Sequence, residues 1–300
     1  MAGSLVLMSL PADTRTSVLA GRPHRILGFV TLSLVWLIVF RGPLSALIVL
    51  AQQDERYTHT PLMPFLSIGL IYLQRRRIFA VSEYCAGFGI PGILAGFGLF
   101  GFATWCTPTI SLPIGLSALM VVLISTFVLF YGATSFRAAL SPLLFLFLAV
   151  PIPSPVVEQA QIALQTATAE VTDILFRLAS TPVFRDGLKF SLPGFTVEVA
   201  RECSGIRSSI ALAITGLMLG QLFLRSPWTR TFLLLSTVPI AIVKNALRVA
   251  TLSWLGTYVS KEYLFGDLHH RGGPLFSVIS LALLLPLLLA LMKWERRTTK

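Results

Sequence analysis

The sequence predicts an all-α, multi-pass membrane protein. About eight transmembrane helices are expected, with an amphipathic helix and a small β-hairpin on the outer, periplasmic side. Three observations carry this. Hydrophobic residues make up 55% of the 300 and charged residues only 12%, with a mean hydropathy of +0.79. Several apolar runs approach the roughly 20 residues that a helix needs to cross a bilayer. Basic residues gather in alternate connections between those runs, as the positive-inside rule requires.

Taken in order, the expected spans are 26–50, 61–74, 84–105, 110–132, 139–155, 206–224, 231–257 and 274–292. Arg41-Gly42-Pro43 interrupts the first. Proline cannot donate to the helical ladder and crowds the carbonyl four residues earlier, so a kink is expected there. The second run is short for a span and extends into its flanks. No repeat or low-complexity tract appears, and no basic residue precedes the short apolar patch Leu5–Leu10, so no cleavable signal peptide is read. The whole chain, 1–300, reads as one integral membrane domain. Residues 1–25 form its cytoplasmic N-terminal segment and 293–300 its cytoplasmic basic tail.

Charge orients the spans. With the N-terminus in the cytoplasm, the inner segments hold Arg15, Arg22, Arg25, Arg75, Arg76, Arg77, Arg137, Arg225, Arg230, Lys293, Arg296, Arg297 and Lys300. Against these stand only Asp13, Glu83 and Glu295. The outer segments are nearly balanced. The net charge of +11 is therefore a consequence of topology, and no nucleic-acid partner is needed to explain it. Three cysteines are too few for a disulfide framework and lack metal-ligand spacing. Neither a metal nor a cofactor is expected.

The largest outer segment is 156–205. In 156–178, apolar and polar residues interleave as in an amphipathic helix that lies on the membrane or lines a cavity. Across 188–199, two short β-prone stretches flank Pro193-Gly194, which reads as a hairpin turn. The hairpin delivers the chain to Arg201-Glu-Cys203-Ser204-Gly205-Ile-Arg207-Ser208, immediately before an apolar run. A lone cysteine is ordinarily a small buried hydrophobe, and Cys85 and Cys106 fit that description. Cys203 differs in being crowded by polar and charged residues at the expected mouth of a helix. The unpartnered N–H groups there favour a thiolate, as a nucleophile requires.

Ionisable groups within spans default to a functional hypothesis. The seventh span holds Lys244, Asn245 and Arg248 on one helical face. At 1.5 Å per residue, Arg248 sits roughly 26 Å from a cytoplasmic start near Thr231, close to the outer surface. An arginine there could simply snorkel to the headgroups. The following outer loop carries Asp267-Leu-His269-His270-Arg271-Gly-Gly-Pro274. Its histidines are either solvated loop residues or a general acid and base. The topology, drawn without reference to these residues, nevertheless puts a thiol, a fixed cation and an imidazole at one depth. Cys203, Arg248 and His269 could then serve as nucleophile, oxyanion stabiliser and proton carrier.

These motifs resemble the exosortase/archaeosortase family of membrane cysteine transpeptidases. They are Glu202-Cys-Ser-Gly-Ile-Arg-Ser208, Asn245-Ala-Leu-Arg-Val249 and His269-His-Arg-Gly-Gly-Pro-Leu-Phe276. Two more accompany them in family order. One is Glu55-Arg-Tyr-Thr-His59-Thr-Pro-Leu-Met-Pro64, followed by Arg75-Arg-Arg77, and the other is Phe147-Leu-Ala-Val-Pro-Ile-Pro153. The resemblance implies catalysis by Cys203, Arg248 and His269, with His270 adjacent. Ser204, Gly205, Arg207, Asn245 and His59 take supporting or substrate-binding places. Thr58 and Thr60 stand where serine and glycine are usual, and Arg201 where an acidic or neutral residue is.

The implied activity is sorting. Membrane-anchored precursor proteins ending in a short motif (Pro-Glu-Pro in the bacterial type), an apolar helix and a basic tail would be cut at the outer face of the inner membrane. A thioacyl intermediate would form and pass to an acceptor nucleophile that the sequence does not name. In bacteria the family accompanies extracellular polysaccharide synthesis. Two other classes use the same residues differently. A membrane acyltransferase would carry its acyl group on Cys203. A transporter or assembly subunit would line a path with Lys244, Asn245 and Arg248, and would be expected to show inverted repeats.

Overall fold

The computed structural model describes residues 12–199, 206–259 and 273–298. Cys203, Ser204, Gly205, His269 and His270 lie outside the described residues. The chain divides into two compact units, Met1–Ser154 and Pro155–Lys300.

In the first unit, α1 (Ala12–Val39) and α2 (Arg41–Gln53) cover the expected span at 26–50 and break where the kink is expected. They meet at 71°. Pro43 has no N–H to offer the Val39 carbonyl, so the ladder breaks where the sequence indicates. Phe40 fills the bend with no exposed surface and stacks against Phe97 and Phe100, at 5.8 and 4.5 Å between ring centres. Two short 3-10 turns, Glu55–Tyr57 and Thr60–Leu62, lead into α3 (Met63–Ile78). Arg75, Arg76 and Arg77 close its last turn, where cations meet the negative end of the helix dipole.

α4 (Ala86–Ala103) lies along α5 (Pro108–Leu144) through a glycine stripe. A Cβ at Gly89 would stand 2.6 Å from the Leu129 Cβ, and one at Gly96 2.5 Å from the Val122 Cγ2. Small residues allow this backbone approach in membrane helices, where dispersion contacts drive association. Trp36 of α1 donates to the Thr126 hydroxyl of α5 at 2.9 Å. The spans expected at 110–132 and 139–155 correspond to two helical stretches of α5 that meet at a kink at Gly132, where the backbone is non-helical with φ +83°. A side chain there would be both strained and driven into the Glu83 carbonyl, 2.7 Å away. A further 3-10 turn, Phe145–Ala149, follows α5.

The second unit begins with α6 (Ser154–Leu178), where the amphipathic helix is expected. Three antiparallel strands follow: β1 (Phe184–Asp186), β2 (Lys189–Leu192) and β3 (Phe195–Glu198), in the order β1-β2-β3. The expected hairpin is β2–β3, turning at Gly194 with φ +91°. β1 is an addition that short polar Phe-Arg-Asp does not advertise. Three long helices complete the unit: α7 (Ile206–Phe223), α8 (Pro227–Tyr258) and α9 (Gly273–Thr298).

Among the described residues, five helices are long and apolar enough to cross a membrane, or six if the bent α1–α2 pair counts as one span. The expected count of eight is not confirmed. α3 is only 16 residues long with three arginines at its end, and 139–155 contributes the end of α5, a 3-10 turn and extended chain.

Candidate active site

α7 and α8 form an antiparallel pair joined by the short turn at Leu224–Ser226. Pro227 opens α8, at a position whose N–H has no helical partner. Glu295 of α9 caps that turn. Its carboxylate accepts from the Arg225 and Ser226 N–H groups, each at 2.9 Å, and from the Thr229 hydroxyl. Arg230 closes the turn from the other side by donating to the Leu224 carbonyl at 2.7 and 3.0 Å. Leu212, Leu224, Leu233, Ala241, Leu284, Leu288 and Leu291 form the apolar core of this three-helix bundle.

From the turn, the register of the pair runs steadily outward. Gly220 lies against Arg230 and Gly216 against Thr237, where an added Cβ would stand 2.8 Å from the Thr237 Cγ2. Ser208 lies against Lys244, whose ammonium donates to the Ser208 hydroxyl. Lys244 and Asn245 are 3% and 1% exposed. Arg248, one helical turn further, shares their face and is partly buried. Arg207, next to Ser208, is exposed.

The sheet reaches the same turn of α8. Phe190, Leu192 and Val199 share one apolar core with Ala169 and Phe176 of α6 and with Val249 and Ala250 of α8. Trp254 of α8 donates to the Thr181 hydroxyl at 2.9 Å and meets Phe176 edge-on, 6.2 Å between ring centres. Val199 is held at both backbone groups. Its N–H donates to the Leu188 carbonyl at 3.0 Å, and its carbonyl accepts from the Gln165 side-chain amide at 2.9 Å. Arg248 therefore lies between two anchored points: Lys244, against Ser208, and Val249–Ala250, in the core that holds Val199.

Gln165 was not among the residues the sequence singles out. α6 turns a polar stripe inward: Gln161, Gln165, Thr168, Thr172 and Asp173 are buried. Val156, Ile162, Ile174 and Leu178 are exposed. The signal was present, since positions 161, 165, 168 and 172 fall on one helical face. A polar face reads as the solvent face by default, and only the packing shows it to be the inner one. At the helix's outer edge, Arg185 of β1 grips Glu170 with two hydrogen bonds, at 2.7 and 3.0 Å. That pair holds the Glu170 carboxyl below its ordinary range.

His59 belongs to the first unit, where two of the sequence motifs meet. The Tyr57 hydroxyl donates to the Ile152 carbonyl at 2.8 Å, and Thr60 donates to the Tyr57 carbonyl at 2.8 Å. Arg56 forks onto Asp54, with its Nη2 2.6 Å from Oδ2, which holds that carboxyl below its ordinary range. His59 is half-buried, and burial lowers its pKa while a hydrogen bond with the Arg56 backbone opposes that. Cys85 and Cys106 are free thiols, partly exposed rather than enclosed. Among the described residues, no three His, Cys, Asp or Glu side chains gather as a metal would need.

Residues 49–286 match the family described as transmembrane exosortase (EpsH). No curated protein and no solved structure matches the chain.

Proposed function

The chain belongs to the transmembrane exosortase family, and from that premise we propose that it is a cysteine transpeptidase with Cys203 as its nucleophile. Its substrates are membrane-anchored precursors ending in a short motif, an apolar helix and a basic tail. Enzyme and substrate share one bilayer, so their encounter is confined to two dimensions. The α7–α8 turn with Arg225 and Arg230 and the end of α9 with Lys293, Arg296 and Arg297 face the cytoplasm, so the opposite end of α8, where Arg248 lies, faces outward.

The observation that carries this reading is the position of Arg248 between Lys244–Ser208 and the core of Val199. Cys203 is four residues from Val199 and five from Ser208. A fully extended chain of four residues spans at most about 14 Å, which limits how far the thiol can stray from that turn of α8.

The chemistry follows. The Cys203 thiolate attacks the scissile carbonyl, and the carbonyl π pair moves to oxygen as an oxyanion. Arg248 holds that charge, with Asn245 beside it and Ser204 and Gly205 at the head of α7. Collapse of the intermediate breaks the C–N bond, and protonated His269 gives the departing amine its proton. A thioacyl enzyme remains. The neutral imidazole then takes the proton of the acceptor as that nucleophile attacks, and the thiolate leaves. Arg207 and His270 line the approach, and His59 supports the first unit's motif.

Cys203→Ala and Cys203→Ser test the assignment. Both variants are expected to accumulate in the membrane and to leave a co-expressed precursor uncut on a gel. A serine hydroxyl gains too little from the site because its pKa is far too high. Full processing by the alanine variant would remove Cys203 from the mechanism.

A further inference from the structure

The proposed chemistry leaves Lys244 unused, and Lys244 is a costly residue to bury. Its side chain is 3% exposed within α8, a helix apolar enough to span a membrane. Its ammonium has three donors, and among the described residues its one hydrogen-bond partner is the Ser208 hydroxyl. It takes part in none of the ion pairs among those residues. Arg248, one turn away on the same face, adds repulsion rather than relief. Burying an ammonium without a countercharge is strongly unfavourable. A serine hydroxyl compensates only part of that cost, so the arrangement is suited to an anion that arrives with the substrate.

We propose that Lys244, with Ser208, is a specificity subsite for an aspartate or glutamate carboxylate of the sorting segment. This rests on the transpeptidase reading above. A segment delivered along α8 by its own membrane helix brings the carboxylate in as part of a larger binding event, and remote binding energy then offsets its desolvation. Free anions have no such source. The ammonium is a compact charge on a flexible stem, fit for a single carboxylate oxygen rather than a bidentate clamp. Lys244 and Arg248 are four residues apart, a rise of about 6 Å. An extended segment covers about 3.3 Å per residue. If Arg248 holds the oxyanion, the recognised acid therefore lies about two residues from the bond that is cut.

The test uses the full-length enzyme in membranes with two reporters whose C-terminal motifs differ by one glutamate-to-glutamine change. The wild-type enzyme should process the glutamate reporter about tenfold faster, the ratio that a single well-made charge contact supports. K244M should process the two reporters at equal rates, and K244R should keep part of the preference. A preference that persists in K244M, or no preference in the wild type, overturns the proposal. A measurement independent of any Lys244 variant walks a single glutamate along the motif with the wild-type enzyme. One maximum about two residues from the cut is expected, and a flat profile overturns the proposal. C203A separates the two levels. If it still cuts the reporter, the transpeptidase reading fails. If it is dead while the glutamate preference ignores Lys244, only the subsite fails.

Discussion

The side-chain amide of Gln165 donates a 2.9 Å hydrogen bond to the carbonyl of Val199, from a helix position only 6% exposed. Val199 itself is fully buried and its N–H is already bonded to Leu188. The chain entering the Cys203 segment is thus clamped on both sides, by Leu188 of the β1–β2 turn and by Gln165 of α6.

Gln165→Leu should lower processing about tenfold while leaving the protein in the membrane. It strands a buried carbonyl, at a cost of about 1–3 kcal/mol, and loosens the approach to Cys203. Gln165→Glu should be worse, because a carboxylate oxygen then faces a carbonyl oxygen. The readout beyond activity is the pH dependence of Cys203 alkylation in intact membranes. A displaced thiol titrates differently, whereas a loss of stability alone would reduce the amount of protein and leave the profile in place.

Arg248→Lys should lose on the order of 100-fold in turnover although the charge is kept, the size of effect seen when one oxyanion donor is removed. The planar guanidinium presents several donors in fixed directions, which an ammonium does not reproduce. Processing rates at matched protein levels decide this. Near-normal turnover would make Arg248 a surface charge that reaches the headgroups.

His269→Ala should abolish processing and His270→Ala should not. The reason is spacing, since His269 is followed at three and four residues by Gly272 and Gly273 and at seven by Phe276. Phe276 is 4% exposed at the start of α9, so the loop's exit is anchored in the bundle. Inactivity confined to the His270 variant would shift the register by one residue. Full activity in both would send the search for the acid elsewhere.

Acidification should destabilise the first unit through His59. Burial lowers its pKa in the folded protein from the ordinary 6.5, so the unfolded chain binds a proton that the folded chain resists. The stabilisation is complete above pH 6.5 and is lost as pH falls through the lowered value. Thermal unfolding in detergent at a series of pH values checks this. His59→Gln should flatten the slope below pH 6.5, and an unchanged slope would show that other groups carry it.

Local features of the chain determined much of this protein. Apolar length and basic bias mark a multi-pass membrane protein, Gly42-Pro43 marks the break that becomes a 71° bend, and Pro193-Gly194 marks the β2–β3 turn. The ordered motifs within 49–286 mark the family. Hydropathy and proline act on residues a few positions away, so they can be read along a line. Tertiary structure alone decided the rest. The kink that divides α5 depends on Gly132 passing the Glu83 carbonyl. The inward place of Gln165 on α6 is matched to the Val199 carbonyl that it serves. The pairing of Lys244 with Ser208, 36 residues apart, depends on the close approach of α7 and α8 at Gly216. In each case the deciding partner is distant in sequence, and helix-to-helix contact within a membrane is set by shape and a few polar contacts rather than by the hydrophobic pattern.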